Sequence, residues 1–329
     1  MIDSLSRYPR GSNFVNIDHV CERPLRTATI SSDGRCYVCI CEAWLPISVG
    51  NIDSFQSLEE IWNTPIAQEL QKDIADKKYT HCAVAHCGII NNDILHPTYR
   101  LSVGLDDSCN LACPSCRREM INITNGPLYE QRLARVKHFL RLLKYFDQAI
   151  TVIMIGSGDP LASAIMRPIL MEWQPKLNQN IVLFTNGLLM KKLLPQSKLF
   201  SHIHEFQISV DAGSQQVYEK VRRPGKFDVL RENLDWLASN RPQNSKVILK
   251  YTISAANASD VENFSAMCDH YGFHGEITKL DDWGTFDDFD SQEVIDNSDH
   301  ELHPVAIKQL QSVSKKHNIW LSPYFSKFI

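Results

Sequence analysis

The chain lacks the marks of a membrane, secreted or general nucleic-acid-binding protein. No apolar run in its 329 residues approaches the length of a membrane span. Its start, MIDSLSRYPRGSNF, is polar and has no apolar core of a secretory signal. A cytoplasmic chain is therefore expected. The net charge is only −4, without the basic excess of a general nucleic-acid binder. Cysteine is nearly missing from the later part. Of ten cysteines, nine lie at or before Cys116, and Cys268 stands alone. Without a secretory signal, such crowding points to metal or redox chemistry rather than a disulfide framework. At 43% hydrophobic and 22% charged, the composition suits a globular protein with a sizeable core, in one large domain or two.

Three of the cysteines, Cys109, Cys113 and Cys116, sit in SVGLDDSCNLACPSCRRE with C-x3-C-x2-C spacing. Closely spaced thiolates of this kind can hold three irons of a [4Fe–4S] cluster. The fourth iron then lacks a protein ligand and is open to a small chelating molecule. The plainer readings are a structural zinc site or a disulfide. Zinc would need a fourth ligand, and no cysteine or histidine follows closely after Cys116.

From about residue 98 onward, strand-like apolar runs alternate with amphipathic helical patterns. The runs are 99–105, 150–155, 180–184, 205–210, 246–253 and 276–280. Helical patterns include 129–145, 162–173 and 227–238. This alternation predicts an α/β fold with a parallel sheet. Periodicity alone leaves a doubly wound sheet and a partial (β/α)6 barrel both open. Polar signals fall where the strands end: the cysteine loop, GSGDP at 156–160, TNG at 185–187, SVDAGS at 209–214, TISAAN after the fifth strand and LDDWG at 280–284. In parallel α/β barrels such ends share one face, where active sites lie.

The C-x3-C-x2-C run resembles the signature of the radical S-adenosylmethionine (SAM) superfamily. The resemblance implies a partial (β/α)6 barrel and SAM bound to the open iron. GSGDP is similar to the superfamily's GGEP-like stretch, with Gly156, Ser157, Gly158 and Asp159 in its positions and Asp for the usual Glu. It implies contact with the ammonium of SAM. Asn186 in TNG, and Ser209 and Asp211 in SVDA, are further candidate contacts to the cofactor. Of Arg222 and Arg223 in VRRPGKF, Arg223 is the preferred partner for the methionine carboxylate, since a guanidinium suits bidentate recognition. One departure is Ser115, where the superfamily usually has an aromatic residue before the third cysteine.

Residues 17–90 carry a second set: Cys21, Cys36, Cys39, Cys41, Cys82 and Cys87. With Gly34 they read C-x12-G-x4-C, followed by GNIDSFQSLEEIWN and YTHCAVAHC. This resembles the SPASM/twitch auxiliary-cluster domain, placed ahead of the barrel rather than behind it. DGR at 33–35 reads as a hairpin turn. Ser57 and Glu60 read as a capping box opening a helix to about residue 77. Cys21, Cys39, Cys82 and Cys87 are the candidate ligands of one fully held [4Fe–4S] cluster, with Cys41 as an alternative to Cys39. A zinc knuckle is the competing reading of this spacing. The expected division is 1–95 for the cluster domain, 96–300 for the barrel, and 301–329 for a C-terminal helix (304–316) and closing strand.

The resemblance implies an enzyme that cleaves SAM reductively to a 5′-deoxyadenosyl radical, which abstracts hydrogen from a peptide or small metabolite. The auxiliary cluster could accept the substrate-radical electron, making the net reaction an oxidation, or could instead ligate or orient the substrate. The expected partners are the substrate and a reductant such as flavodoxin or ferredoxin, with no nucleic acid and no membrane. Asp281 and Asp282 are candidates to touch substrate, although an acidic rim turn is the plainer reading. An epimerase is a second class, with Cys268 as the hydrogen-atom donor against its plainer reading as a core cysteine. A non-enzymatic cluster-binding protein is a third. No segment has the length of a leader-peptide-binding domain, which favours a small molecule or a separately delivered peptide.

Overall fold

Short strands with alternating or continuous burial organise both halves of the chain. The computed structural model describes residues 10–11, 20–84, 87, 98–155 and 158–329. Two compact units emerge: residues 1–108 with 122–182, and residues 109–121 with 183–329.

The first unit contains β1 (Thr27–Ile30), β2 (Arg35–Tyr37), β3 (Gly50–Asn51), β4 (Tyr99–Val103) and β5 (Ile150–Met154). β6 (Gln179–Thr185) follows β5 and runs on into the second unit. The turn between β1 and β2 is the expected hairpin, with Ile30 opposite Cys36. Asp33 accepts from the Arg35 amide at 3.1 Å, and Gly34 takes φ +86°. A Cβ at Gly34 would lie 2.5 Å from the Arg135 guanidinium, so only glycine fits there. β1 also runs parallel to β4, with Thr27 beside Arg100 and Ile30 beside Val103. β4 in turn runs parallel to β5. The core between these strands is apolar and closed: Ala28, Ile30, Leu101, Val103, Ile150 and Val152 are all buried.

Helices of this unit are α1 (Arg23–Arg26), α2 (Glu60–Asn63), α3 (Pro65–Ala75), α4 (Pro127–Tyr145) and α5 (Arg167–Glu172). The single helix expected over 57–77 is broken. Pro65 has no amide hydrogen and pushes its predecessor out of the helical region, and Thr64 sits at ψ 153°. Thr64 then caps α3 by accepting from the Ala67 amide at 3.1 Å. Half of the expected capping box is present, since Glu60 accepts from the Ser57 amide at 3.0 Å. The pattern at 162–173 yields a helix only from Arg167. Before it, Asp159 and Ser163 take the amides of Leu161 and Met166 and hold a turn.

The second unit holds the rest of β6, then β7 (Ile203–Ser209), β8 (Lys246–Ile253), β9 (His274–Lys279) and β10 (Ile319–Leu321). The last four run side by side in that order, and all are parallel. Along β8, Val247, Leu249, Tyr251 and Ile253 are buried and alternate with more accessible residues. The helices are α6 (Met190–Leu193), α7 (Gln215–Val221), α8 (Phe227–Asn240), α9 (Val261–Tyr271) and α10 (His303–Val313). The six strands expected from the sequence are thus present as β4 to β9, in an α/β fold with a parallel sheet. Among the described residues no helix is long and apolar enough to cross a membrane.

Candidate metal centres and cofactor contacts

In the second unit the cysteine loop is anchored at three points. The Cys109 amide donates to the Ile121 carbonyl at 2.8 Å and closes the loop at its base. The Ala112 amide donates to the Arg223 carbonyl at 2.7 Å. The Cys116 and Arg117 amides both donate to the Cys113 carbonyl at 2.9 Å, forming the turn that carries the last two thiols. Cys113 is buried, Cys109 half-buried and Cys116 exposed. Asn186 donates through Nδ2 to Asn110 Oδ1 at 2.8 Å and lies 3.8 Å from Cys109 Sγ. It therefore serves the cysteine loop directly.

Of the two adjacent arginines, Arg222 is the one that points at the Cys113 thiol. Its Nη1 lies 3.6 Å from Cys113 Sγ. Its Nη2 lies 2.7 Å from Asp211 Oδ2. Burial pushes the Cys113 thiol up, against the pull of the Arg222 guanidinium. Burial alone would lower the Arg222 pKa, yet Asp211 and Cys113 hold it above the ordinary value, so it stays charged. Asp211, at φ +57°, accepts the Thr252 amide at 2.7 Å on its other oxygen.

Arg223 instead lines a cavity of about 250 Å³ with Ser115, Asp211, Lys220, Thr252, Ser254 and Asn257. Leu280, Phe286 and Gln292 close its wall from the segment after β9. Ser209 ends β7. Asp282 accepts the Gly284 amide at 2.8 Å and so holds its own turn, while Asp281 lies 4.0 Å from Lys279. Cys268 is fully buried on α9, and its sulfur packs with Phe264 and Ile319 over Gly275. Burial raises that thiol to about 12.

In the first unit, Gly156 and Ser157 lie outside the described residues. Gly158 is backed by chain: a Cβ there would meet the Ser108 carbonyl oxygen at 2.4 Å. The Asp159 amide donates to that same carbonyl at 2.8 Å. Asp159 is buried, and its Oδ1 accepts the Leu161 amide at 2.9 Å and the Ala162 amide at 3.3 Å.

The N-terminal thiols gather around Cys82. Burial lifts the Cys82 thiol well above its usual value, and the sulfurs of Cys39, Cys21 and Cys87 add to the effect in that order. Burial takes Cys39 to about 12, with Cys87 and Cys41 close enough to contribute. The backbone fixes each arm. The Tyr79 hydroxyl accepts the Cys21 amide at 3.0 Å. Thr29 Oγ1 donates to the Cys39 carbonyl at 2.7 Å. The Cys82 and Cys87 amides donate to Tyr79 and Ala83 carbonyls at 3.0 Å. Cys36 stands apart from this set: it is a core residue of β2, raised by burial to about 12, with Ile52, Asp53, Asp33 and Arg135 as its other influences.

Among the described residues, no three Cys, His, Asp or Glu side chains converge on the position of a single metal ion. The thiolates of a cubane bind different irons and so need not converge on one point. Two sets of cysteines outside any disulfide, a buried guanidinium at one of them and an Arg222 Nε that is buried without a hydrogen-bond partner suit a multi-iron group that brings further acceptors. Loading such a group would release the protons that the raised thiols of Cys39, Cys82 and Cys113 carry.

The profile of the radical SAM superfamily matches residues 107–255. The SPASM profile, an iron–sulfur cluster-binding domain, matches residues 21–88. Mycofactocin maturase MftC from Mycobacterium ulcerans is 25% identical over 206 residues, 62% of this chain and 50% of that protein. MftC from Mycolicibacterium smegmatis is 24% identical over 204 residues, 62% of this chain and 48% of that protein. The chain spans about half the length of these curated relatives. Among solved structures, Streptococcus suis SuiB bound to precursor peptide SuiA covers 80% of this chain and 55% of that chain, with 13% identity and a TM-score of 0.44.

Proposed function

Since the chain belongs to the radical SAM superfamily, with a SPASM domain ahead of the radical SAM domain, we propose that it is a radical SAM oxidoreductase that modifies a peptide. The family implies a [4Fe–4S] cluster, SAM and an auxiliary iron–sulfur cluster. A peptide is favoured over a small metabolite because the curated relatives matched are maturases. When bound, the reduced cluster and SAM supply a 5′-deoxyadenosyl radical that takes a hydrogen atom from an unactivated C–H bond.

The chain's own residues divide the remaining work. Cys109, Cys113 and Cys116 hold three irons and leave one open. Asp159 accepts from the ammonium of SAM. Arg223 meets the methionine carboxylate, and Ser209 and Asp211 meet the ribose end. Cys21, Cys39, Cys82 and Cys87 hold the auxiliary cluster, whose task is to accept the substrate electron. Cys41 is the alternate to Cys39. Asp281 takes the proton that an oxidation releases, since Asp282 is committed to its turn. A one-electron donor of the flavodoxin or ferredoxin type supplies the reducing equivalent.

The observation that carries this reading is the gathering of Cys21, Cys39 and Cys87 about Cys82. The test is anaerobic reconstitution followed by iron and sulfide analysis and an assay for 5′-deoxyadenosine with dithionite. About eight irons per chain and slow SAM cleavage are expected. Stoichiometric zinc without iron, or iron without SAM cleavage, would overturn it.

A further inference from the structure

We infer that Arg222 is a positioning residue that sets the reduction potential of the cluster held by Cys109, Cys113 and Cys116. This rests on reading that loop as a cluster site. Arg222 closes the C-terminus of α7, where its amide donates to the Tyr218 carbonyl at 2.8 Å. Its side chain is 13% exposed and grips two partners at once, Cys113 Sγ at 3.6 Å and Asp211 Oδ2 at 2.7 Å. Asp211 cannot swing to follow it. Its second oxygen takes the Thr252 amide at 2.7 Å, and its carbonyl accepts from Asn257 Nδ2 at 2.9 Å. The next residue, Arg223, accepts the Ala112 amide at 2.7 Å, so loop and guanidinium share one frame.

A rigid, buried cation donating to a ligand sulfur withdraws electron density from it. Reduction adds one negative charge to the cluster, so such a donor stabilises the reduced form and raises the potential. Low exposure limits solvent screening, and although the Asp211 carboxylate at 2.7 Å offsets part of the charge, the N–H aimed at the sulfur lies on the cluster side of the pair. Asn186 beside Cys109 is a weaker donor to its sulfur: it is neutral, 3.8 Å away, and already committed to Asn110. The charged arginine at Cys113 therefore dominates.

The test is an anaerobic redox titration followed by electron paramagnetic resonance. The signal that disappears in Cys113→Ala identifies this cluster, and the auxiliary signal serves as the internal control. Arg222→Gln should keep the parent's iron content and shift the midpoint downward by about 59 mV, a tenfold lower reduced-to-oxidised ratio at fixed poise. Arg222→Lys, which keeps the charge, should recover most of the shift. An unchanged midpoint in iron-replete Arg222→Gln overturns the proposal. If Arg222→Gln takes up no iron, Arg222→Met, which keeps the packing of the side-chain stem, replaces it: the midpoint should fall by a similar amount, and an unchanged midpoint again overturns the proposal. A parent protein that takes up no iron at this loop overturns the cluster reading itself, which is a different result.

Discussion

Arg132 of α4 pairs with Asp106 at 2.9 Å, and the Asp106 side chain has no exposed surface. The other oxygen of Asp106 accepts Ser163 Oγ at 2.6 Å, and Arg132 also reaches Asp107 at 2.7 Å. The acids that lead from β4 towards Cys109 are thus held from inside. Removing one partner of a buried pair leaves an uncompensated charge, which costs about 3–5 kcal/mol. Arg132→Ala should therefore lower unfolding stability by about that amount, measured by urea denaturation. Replacing both partners with leucine should cost less than the single change. If Arg132→Ala stayed within about 1 kcal/mol of the parent, the pair would behave like a surface ion pair, and this account of the segment would be wrong.

Cys82 and Cys36 should respond differently to the same substitution. Cys82 sits among the sulfurs of Cys39, Cys21 and Cys87, whereas Cys36 packs in the core of β2. Cys82→Ala should lose about half the iron while dithionite-driven SAM cleavage persists, because the Cys109–Cys116 loop is a separate ligand set. Cys36→Ala should keep all its iron and lose about 1 kcal/mol of stability from the small cavity. Iron loss from Cys36→Ala would mean that the ligand assignment is wrong.

The contrast between these cysteines was only partly legible in the sequence. Spacing grouped Cys21, Cys39, Cys82 and Cys87, but it took the strand Arg35–Tyr37 to turn Cys36 inward. The six strands β4 to β9 were legible because each is a run of apolar or alternating residues. The short hairpin of β1 and β2 was legible at DGR, but not the parallel pairing of β1 with β4, which its four residues do not announce. The break at Thr64 was written in Pro65, but the capping signal before it dominated the reading. At Arg222 and Arg223 the sequence offers two adjacent guanidinium groups. Only the end of α7 decides which faces Cys113 and which lines the cavity. The buried Arg135, 2.6 Å from Asp53, left no pattern, because its partner is 82 residues away.

Asp159 has two duties that a pair of variants can separate. One oxygen caps the turn by accepting the Leu161 and Ala162 amides. Its charge is assigned to the ammonium of SAM. Asp159→Asn keeps an acceptor oxygen for the turn but loses the charge. It should bind SAM about tenfold more weakly with little change in melting temperature, since a charge-assisted hydrogen bond is about twice as strong as a neutral one. Asp159→Ala should lose both affinity and stability. Equilibrium binding and thermal unfolding, run on the same preparations, give the answer. Parent-like affinity in Asp159→Asn would remove this residue from the cofactor site.

Cys268 decides between oxidation and epimerisation. An epimerase returns a hydrogen atom to the substrate radical from a thiol, so the thiol must reach substrate. The Cys268 side chain is fully buried, and its sulfur packs with Phe264 and Ile319 over Gly275. These neighbours belong to α9, β9 and β10, and none of them lines the cavity beside Arg223. The residue has the surroundings of a core side chain. Cys268→Ala should then cost about 1 kcal/mol in unfolding stability, in proportion to the atom removed. It should leave both 5′-deoxyadenosine formation and product formation on a peptide substrate unchanged. Cys268→Ser should destabilise more, because a buried hydroxyl without a partner carries a desolvation penalty of about 1–3 kcal/mol. Mass spectrometry of the product made in deuterated water provides the second reading. Net oxidation places no solvent deuterium on the attacked carbon, whereas a thiol donor that exchanges with solvent places one there. A deuterated product from the parent, lost in a stably folded Cys268→Ala that still cleaves SAM, would establish the epimerase in place of the oxidation.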